Sequence, residues 1–238
     1  MNPHSSREIH FVNRPRGWPT SDDFELVRSE LPELVEGQIL VKNLYMSVDP
    51  YMRDHLGDLR CCVDPFRVGR PLDGLAVGEV VKSRGSDLRS GDIVTSMRGW
   101  REYFVADRTE VRRVDDSLQP LCGHLGVLGG AGLAAWIGLN LVDVTGQDRV
   151  FVSAAAGAVG SVAGQLAKLR GCFVIGSANS RRDVAVLLGL GFDAVVDSSE
   201  GDLVNQLSLA APEGIDVYFD NLGGAHLEAA LTALRPHG

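Results

Sequence analysis

The stretch VFVSAAAGAVGSVAGQLAKLRG, residues 150–171, constrains the fold more than any other part of the chain. An apolar run at 150–152 leads at once into Ser153, Ala154, Ala155 and Ala156, which carry almost no side chain, and then into Gly157 and Gly160. Val159, Val162, Ala163, Leu166 and Leu169 follow at helical spacing. Strand, small turn and helix in direct succession is how a parallel sheet passes its chain to a covering helix. Ala155-x-Gly157-x-x-Gly160 is a variant of the glycine pattern that binds dinucleotides. The first small residue permits the tight turn, and Gly157 lets backbone approach a pyrophosphate. Gly160 lets the helix pack close to the strand, so that its free N–H groups and positive dipole end face the phosphates. The competing reading is a tight turn with no ligand.

The surroundings favour the ligand. After residue 120, 132–144 reads as a helix, and apolar strand candidates recur at 149–153, 172–176, 194–197 and 215–220 with helical patterns between them. Strands alternating with helices imply parallel βαβ units with right-handed crossovers and a sheet covered on both faces. Residues 1–120 have a different grammar. Short β-type segments at 8–12, 23–29, 37–48, 76–83, 91–97 and 101–107 are punctuated by proline and glycine, which predicts a barrel or partly open barrel. The expected organisation is a β-rich domain over 1–120 and a dinucleotide-binding domain over 121–238.

Which dinucleotide is read from the end of the second strand. In NAD sites an Asp or Glu stands about 20 residues past the glycines and binds the ribose 2′-hydroxyl. Here the segment is GSANSRRD, with Ser177, Asn179 and Ser180 followed by Arg181 and Arg182. Small polar groups with arginine suit a 2′-phosphate, so NADP(H) is the expected cofactor. The alternative is that both arginines are solvated first residues of the next helix, and Asp183 is placed to pair with either of them.

Composition closes other routes. The 31 acidic residues against 23 basic ones give a net charge of −8 without any Lys/Arg-rich run, so no nucleic-acid partner is expected. No apolar run of about 18 residues and no signal-peptide core occur, so a cytoplasmic protein with no membrane partner is expected. Cys61, Cys62, Cys122 and Cys172 form no C-x-x-C pattern and the six histidines no H-x-x-x-H pair. No metal site is expected, and the thiols read as reduced and partly buried.

Four segments carry a family resemblance: LYMSVDPYMR at 44–53, LGVLGGAGLAAW at 125–136, SAAAGAVGSVAGQLAKLRGC at 153–172 and VYFDNLGG at 217–224. In this order they resemble the zinc-independent medium-chain dehydrogenase/reductases. The branch is that of the leukotriene B4 12-hydroxydehydrogenase/prostaglandin reductases, alkenal double-bond reductases and curcumin reductases. The resemblance implies a GroES-like β-barrel domain followed by a Rossmann doubly wound parallel sheet. It implies NADPH-dependent reduction of the C=C bond of α,β-unsaturated aldehydes and ketones, and it allows a homodimer. It places Gly157, Ala158, Val159 and Gly160 at the pyrophosphate, Asn221 near the cofactor, and Tyr51 in the substrate cleft. Quinone reduction, or a non-catalytic nucleotide-binding role on the same scaffold, are the rival readings.

The chain departs from the family pattern at several points. A cleft tyrosine is Cys62 here, a threonine near the nicotinamide is Ala134, and a tyrosine beside the cofactor is Ser198. The usual 2′-phosphate lysine falls on Asp183, so Arg181 or Arg182 has to replace it. Family members continue past Gly238 with further Rossmann strands. The chain therefore reads as a C-terminally incomplete Rossmann domain, either part of a longer chain or a natural short form, with an exposed sheet edge and weakened turnover expected.

Overall fold

A computed structural model describes residues 4–57 and 64–238. The chain divides into two compact units, Met1–Leu125 and Gly126–Gly238.

The first unit is built from short antiparallel strands. In chain order they are β1 (Ser5–Phe11), β2 (Phe24–Glu30), β3 (Gln38–Met46), helix α1 (Tyr51–His55), β4 (Arg70–Pro71), β5 (Ala76–Ser83), β6 (Ile93–Ser96), β7 (Tyr103–Asp107) and β8 (Val111–Arg113). One sheet runs β7-β3-β5-β6-β8 and a second runs β2-β1-β4. The two are joined where β1 meets the segment before β7. Ile9 donates its N–H to the Trp100 carbonyl at 2.8 Å, and Glu102 donates to the Arg7 carbonyl at 3.0 Å. Ile39, Val41, Val80, Leu88, Val94 and Phe104 fill the space against the large sheet. Register slips between Leu40 and Val41 and between Asn43 and Tyr45 bend β3 across β5. Gly78 sits at that bend, where a Cβ would come within 2.6 Å of Val41 Cγ1 and 2.7 Å of the Lys42 carbonyl.

The second unit is a parallel sheet under helices. Its elements are α2 (Gly130–Asn140), β9 (Arg149–Val152), α3 (Ala158–Leu169), β10 (Phe173–Ala178), α4 (Arg181–Gly189), β11 (Ala194–Asp197), α5 (Leu203–Ala210), β12 (Val217–Phe219) and α6 (Gly224–Ala233). The strand order is β11-β10-β9-β12, all parallel. The chain winds from β9 outward to β11 and then crosses back to lay β12 on the other side of β9. Side chains alternate between two cores. Val150, Val152 and Val174 face Ala163, Ala167 and Leu187 on one side, while Phe151 and Ile175 face Leu207, Ile215 and Ala230 on the other. Burying such a Phe, Ile or Leu stabilises by about 1.5–3 kcal/mol each. No helix among the described residues is long and apolar enough to cross a membrane.

Several boundaries differ from those read in the sequence. The helix expected over 132–144 ends at Asn140, because Leu141 closes it and Leu141 and Val142 lie exposed. Leu169 continues the apolar period but is 84% exposed. The buried face of α3 is instead Gly160, Ala163, Gly164 and Ala167. The last strand shrinks to Val217–Phe219, and Ile215 forms an isolated bridge to Leu234. Cys172 is buried, with its Sγ donating to the Thr145 carbonyl, whereas Cys122 is exposed. Cys61 and Cys62 lie outside the described residues.

Small residues on α3 leave room for one large ring. A Cβ at Gly164 would overlap the ring of buried Phe192, and one at Gly176 on β10 would come within 2.9 Å of that ring and of Ala155 Cβ. Gly164→Val should therefore lower stability by about 1–3 kcal/mol through overpacking, measured by urea unfolding. Combined with Phe192→Ala, the loss should fall short of the sum of the two single losses, because the pair shares one space. Strict additivity would show that ring and helix are not in contact.

Candidate functional site

The turn between β9 and α3 is set by backbone hydrogen bonds to β10. Ala154 takes a left-handed conformation, φ 45°. Its N–H donates to Ser177 Oγ at 3.0 Å, and the Ala155 N–H donates to the Ser177 carbonyl at 2.9 Å. The residue that turns the chain is thus Ala154, one before the first small residue of the fingerprint. Ala155 is fully buried and serves packing. Gly157 precedes α3 in an extended conformation, φ −73° and ψ 170°, with no side-chain cap. The Ser161 N–H donates to the Gly157 carbonyl at 2.9 Å. The N–H groups of Ala158, Val159 and Gly160 therefore have no backbone acceptor in the helix. A Cβ at Gly160 would stand 2.5 Å from the Ala154 carbonyl oxygen and 2.8 Å from Ala155 Cα, so only glycine lets the helix sit this close. Uncapped N–H groups, a positive helix end and a bare Gly157 fit the pyrophosphate of a dinucleotide.

At the end of β10 the polar residues divide into fixed and free. Ser177 is 1% exposed, and its hydroxyl accepts the Ala154 N–H. Ser180 caps α4. Its Oγ accepts the Asp183 N–H at 3.2 Å and donates to Asp183 Oδ2 at 2.7 Å. Asp183 is thereby held on Ser180 and pairs with neither arginine. Arg181 has a side chain 92% exposed and faces Glu200 at 3.6 Å, a surface pair worth little. Arg182 is exposed, and among the described residues no side-chain hydrogen bond or ion pair holds it. Both heads lie at the surface, Arg181 held only by its exposed pair with Glu200. Ser198 donates to the Ala178 carbonyl at 2.9 Å.

Beside this turn lies a hollow of about 310 Å³, lined by Ala154, Gly157, Asn179, Asp183, Ser198 and His226 among others. It brings Gly157 and exposed Asn179 together. Ala155, Ala158, Val159, Gly160, Ser180, Arg181, Arg182 and Asn221 are not among its lining residues. The hollow is at the C-terminal ends of the strands, beside the point where strand order reverses between β9 and β12, the usual ligand crevice of such sheets.

Asn221 joins the two strands at that point. Its N–H donates to Ser153 Oγ and its Nδ2 to the Ser153 carbonyl, both at 2.8 Å. Asp220 is the companion knot. Its Oδ1 accepts the N–H of Leu222 at 2.9 Å and of Gly223 at 2.7 Å, and the Tyr218 hydroxyl at 2.8 Å. Partial burial pushes the Asp220 carboxyl up, but the Gly223 and Leu222 N–H groups and the Tyr218 hydroxyl hold it below its ordinary value. His226, half-buried in the first turn of α6, has a buried Nε2 with no partner among the described residues, and burial lowers its pKa against the pull of Asp220. Sequence reading passed over Ser153, Asp220 and His226, and only the adjacency of Asp220 to Asn221 signalled any of them.

The first unit carries its own hollow, about 590 Å³ in volume, with Tyr51 in its wall. Asp49 and Pro50 start α1, where Met52 donates its N–H to the Asp49 carbonyl at 3.0 Å. Tyr51 is 37% exposed, so it is not a core aromatic. Its ring packs edge-on to His55 at 5.2 Å, and His55 lies 5.0 Å from Phe66. Burial, then Asp49 and Asp73, raise the Tyr51 pKa above its ordinary value, so the phenol keeps its proton. Ala134 is exposed on α2.

Residues 7–114 match the family described as the N-terminal domain of oxidoreductase, and residues 158–238 match that described as zinc-binding dehydrogenase. Among the described residues no group of three or more His, Cys, Asp or Glu side chains is placed to hold a metal ion. The chain is 41% identical over 235 residues to prostaglandin reductase 1 of Bos taurus, covering 96% of this chain and 68% of that protein. It is 37% identical over 243 residues to 2-alkenal reductase (NADP(+)-dependent) of Nicotiana tabacum, covering 98% and 71%. The crystal structure of CurA in complex with NADPH from Vibrio vulnificus matches with a TM-score of 0.90 at 33% identity, covering 97% of this chain and 69% of that one. The antiparallel unit is accordingly of the GroES-like type and the parallel unit of the Rossmann type. The chain belongs to the medium-chain dehydrogenase/reductase family, in its branch of NADP-dependent prostaglandin, alkenal and curcumin reductases.

Proposed function

We propose that this protein binds NADP(H) at the β9–α3 turn and reduces the C=C bond of α,β-unsaturated aldehydes and ketones. The observation that carries the reading is the bare first turn of α3, with unpaired N–H groups at Ala158, Val159 and Gly160 behind a side-chain-free Gly157. Residues 121–238 bind the dinucleotide and residues 1–120 hold the substrate. Asn179 and Ser180 stand at the adenosine ribose, and Arg181 and Arg182 close on its 2′-phosphate, which the capped Asp183 leaves them free to do. Asn221 holds the ends of β9 and β12 together under the cofactor.

NADPH, when bound, supplies the hydride that adds to the β-carbon of the substrate. The protein's part is to bind, orient and stabilise charge. As the carbonyl oxygen gains negative charge, Tyr51 donates a hydrogen bond to it from a phenol whose raised pKa keeps the proton in place. His55, itself packed against Phe66, lies edge-on to the Tyr51 ring. An α-carbon proton is then taken from water, so no buried acid is required.

Titration of cofactor fluorescence should show NADPH binding more tightly than NADH. The double substitution Arg181→Ala and Arg182→Ala should weaken NADPH by about 1–3 kcal/mol and leave NADH nearly unchanged. Equal affinities in the parent would remove the 2′-phosphate assignment. Gly157→Val and Gly160→Val separate binding from packing. A Cβ at Gly157 meets only the Ala154 carbonyl, at 3.1 Å, so Gly157→Val should cost at most about 1 kcal/mol of stability while binding falls at least about tenfold. Gly160→Val should lose about 1–3 kcal/mol of stability in the same unfolding assay. A Gly157→Val protein that binds like the parent would make the loop a structural turn alone.

Steady-state NADPH consumption with an alkenal, with a quinone and without acceptor tests the reaction. Alkenal-dependent turnover is expected. Turnover with the quinone alone would move the reading to quinone reduction, and none with either to a non-catalytic role. Tyr51→Phe should lower kcat/KM about 10- to 100-fold, a loss like that of one oxyanion donor. Because the Tyr51 pKa is raised, the donor form persists through the ordinary tyrosine range. The parent's profile should therefore show no Tyr51-linked fall below about pH 10.

A further inference from the structure

The hollow of the second unit is short of positive charge. Ala154, Ala156 and Gly157 of the phosphate turn form part of its wall, so a pyrophosphate held there brings negative charge into it. The lining already contains one carboxylate, Asp183, and no lysine or arginine. Arg181 and Arg182 open α4 outside that lining. The positive end of α3 offsets part of the incoming charge. Among the lining residues, the group able to become a cation is His226.

His226 is held beside the hollow by a pinned loop. Asp220 Oδ1 accepts the N–H of Leu222 and of Gly223. Gly223 and Gly224 then take φ 68° and 54°, left-handed conformations that glycine adopts readily. The neighbouring polar atoms of Ser153, Asp220 and Asn221 are bonded to one another. The His226 ring is not committed in this way, since its Nε2 is shut from water without a partner among the described residues. Two fields oppose each other on the ring. Burial, the larger, disfavours the imidazolium, and Asp220 favours it. The titratable groups set about it are Asp220, the Tyr218 hydroxyl bonded to Asp220, and Asp183 of α4 in the same lining. The free ring is therefore neutral at neutral pH and close to a balance that one more nearby anion tips. Charge acts through space, so the anion need not touch a ring nitrogen.

We propose that His226 is a proton-linked cofactor residue: a phosphate group of the bound dinucleotide draws a proton from solvent onto its imidazole, and the imidazolium supplies the cation that the hollow's lining lacks. The proposal rests on the cofactor reading given above. Both the pyrophosphate and the 2′-phosphate are sources of that charge, and NAD+ and NADP+ tell them apart. The bound ring holds its proton more tightly than the free one. Affinity is therefore greatest below the free ring's pKa and is lost as pH rises through the bound ring's pKa.

Proton NMR of the whole chain, from about pH 5 to about pH 8, follows the ring C2–H of each histidine across the range in which imidazole titrates. The resonance missing from His226→Asn identifies His226. Saturating NADP+ should raise its titration midpoint by at least about one pH unit, and adenosine, which has no phosphate, should not. An equal rise with NAD+ assigns the effect to the pyrophosphate, and a rise with NADP+ alone assigns it to the 2′-phosphate. By calorimetry, the ratio of NADP+ affinity in the parent to that in His226→Asn should grow about tenfold from about pH 8 to about pH 5. Taking the ratio cancels the ionisation of the ligand itself. Amide resonances of Ala158, Val159 and Gly160 report separately whether the cofactor sits at the α3 turn. Amide changes there with a His226 midpoint that stays in place, or that moves as far with adenosine, would overturn the proposal and keep the cofactor reading. A raised midpoint without those amide changes keeps the proton uptake and removes the cofactor from the turn. No change at either place removes both.

Discussion

The second unit depends on one contact made without side chains, the approach of α3 to the strands beneath it. Gly160 lies against the Ala154 carbonyl, and Gly164 and Gly176 leave room for Phe192. Helix and sheet are usually separated by interlocked large residues. Here the gap is closed by backbone on one side and by a single buried ring on the other. That closeness brings the first turn of α3 directly over the end of β9, so its N–H groups open at the strand ends. A bulkier face would displace the whole turn, and with it the uncapped N–H groups at the start of α3.

The same economy governs the polar groups around the crevice. Ser177 holds the Ala154 turn and Ser153 holds Asn221, while Asp220 gathers the N–H groups of the loop that opens α6. These residues are occupied with one another, which makes the ends of β9, β10 and β12 rigid. Around them stand groups that are more loosely held, the head of Arg181 with only an exposed pair to Glu200, the exposed head of Arg182, and the uncapped first-turn N–H groups of α3. The first unit has its own fixed cation, Arg101, committed to Asp73 and to two backbone carbonyls. Fixed polar groups define the shape of each hollow, and the loosely held ones define what chemistry it receives.

What could be read in the sequence was whatever is local. The strand–turn–helix at 149–169 was legible because its periodicity, small residues and glycine spacing all lie within about twenty residues. The alternation of strands and helices after residue 120 was legible for the same reason. Leu169 misled because an apolar period runs on past the point where the helix still touches the sheet. The strands β4 and β8 and the short α1 are too brief to have a period. The roles of Ser153 and Ser177 depend on partners 68 and 23 residues away, which no window contains. The committed state of Arg101 is likewise a tertiary fact. Tyr51 was singled out through family resemblance and not through any pattern in its neighbours.

The ring of Phe192 has a consequence for how this sequence is able to change. Gly164 and Gly176 come from different elements, yet both are bounded by the same six-membered ring. A methyl group gained at either position has no empty volume to enter, and a smaller residue at 192 opens a void that neither glycine fills. Most one-step changes therefore pass through a less stable molecule, although paired changes that keep the total volume constant need not. Such a triple behaves as a single inherited unit. Its members drift together or stay as they are, and the fold surrounding the phosphate turn is held to its shape by the scarcity of neighbouring sequences that preserve the sum.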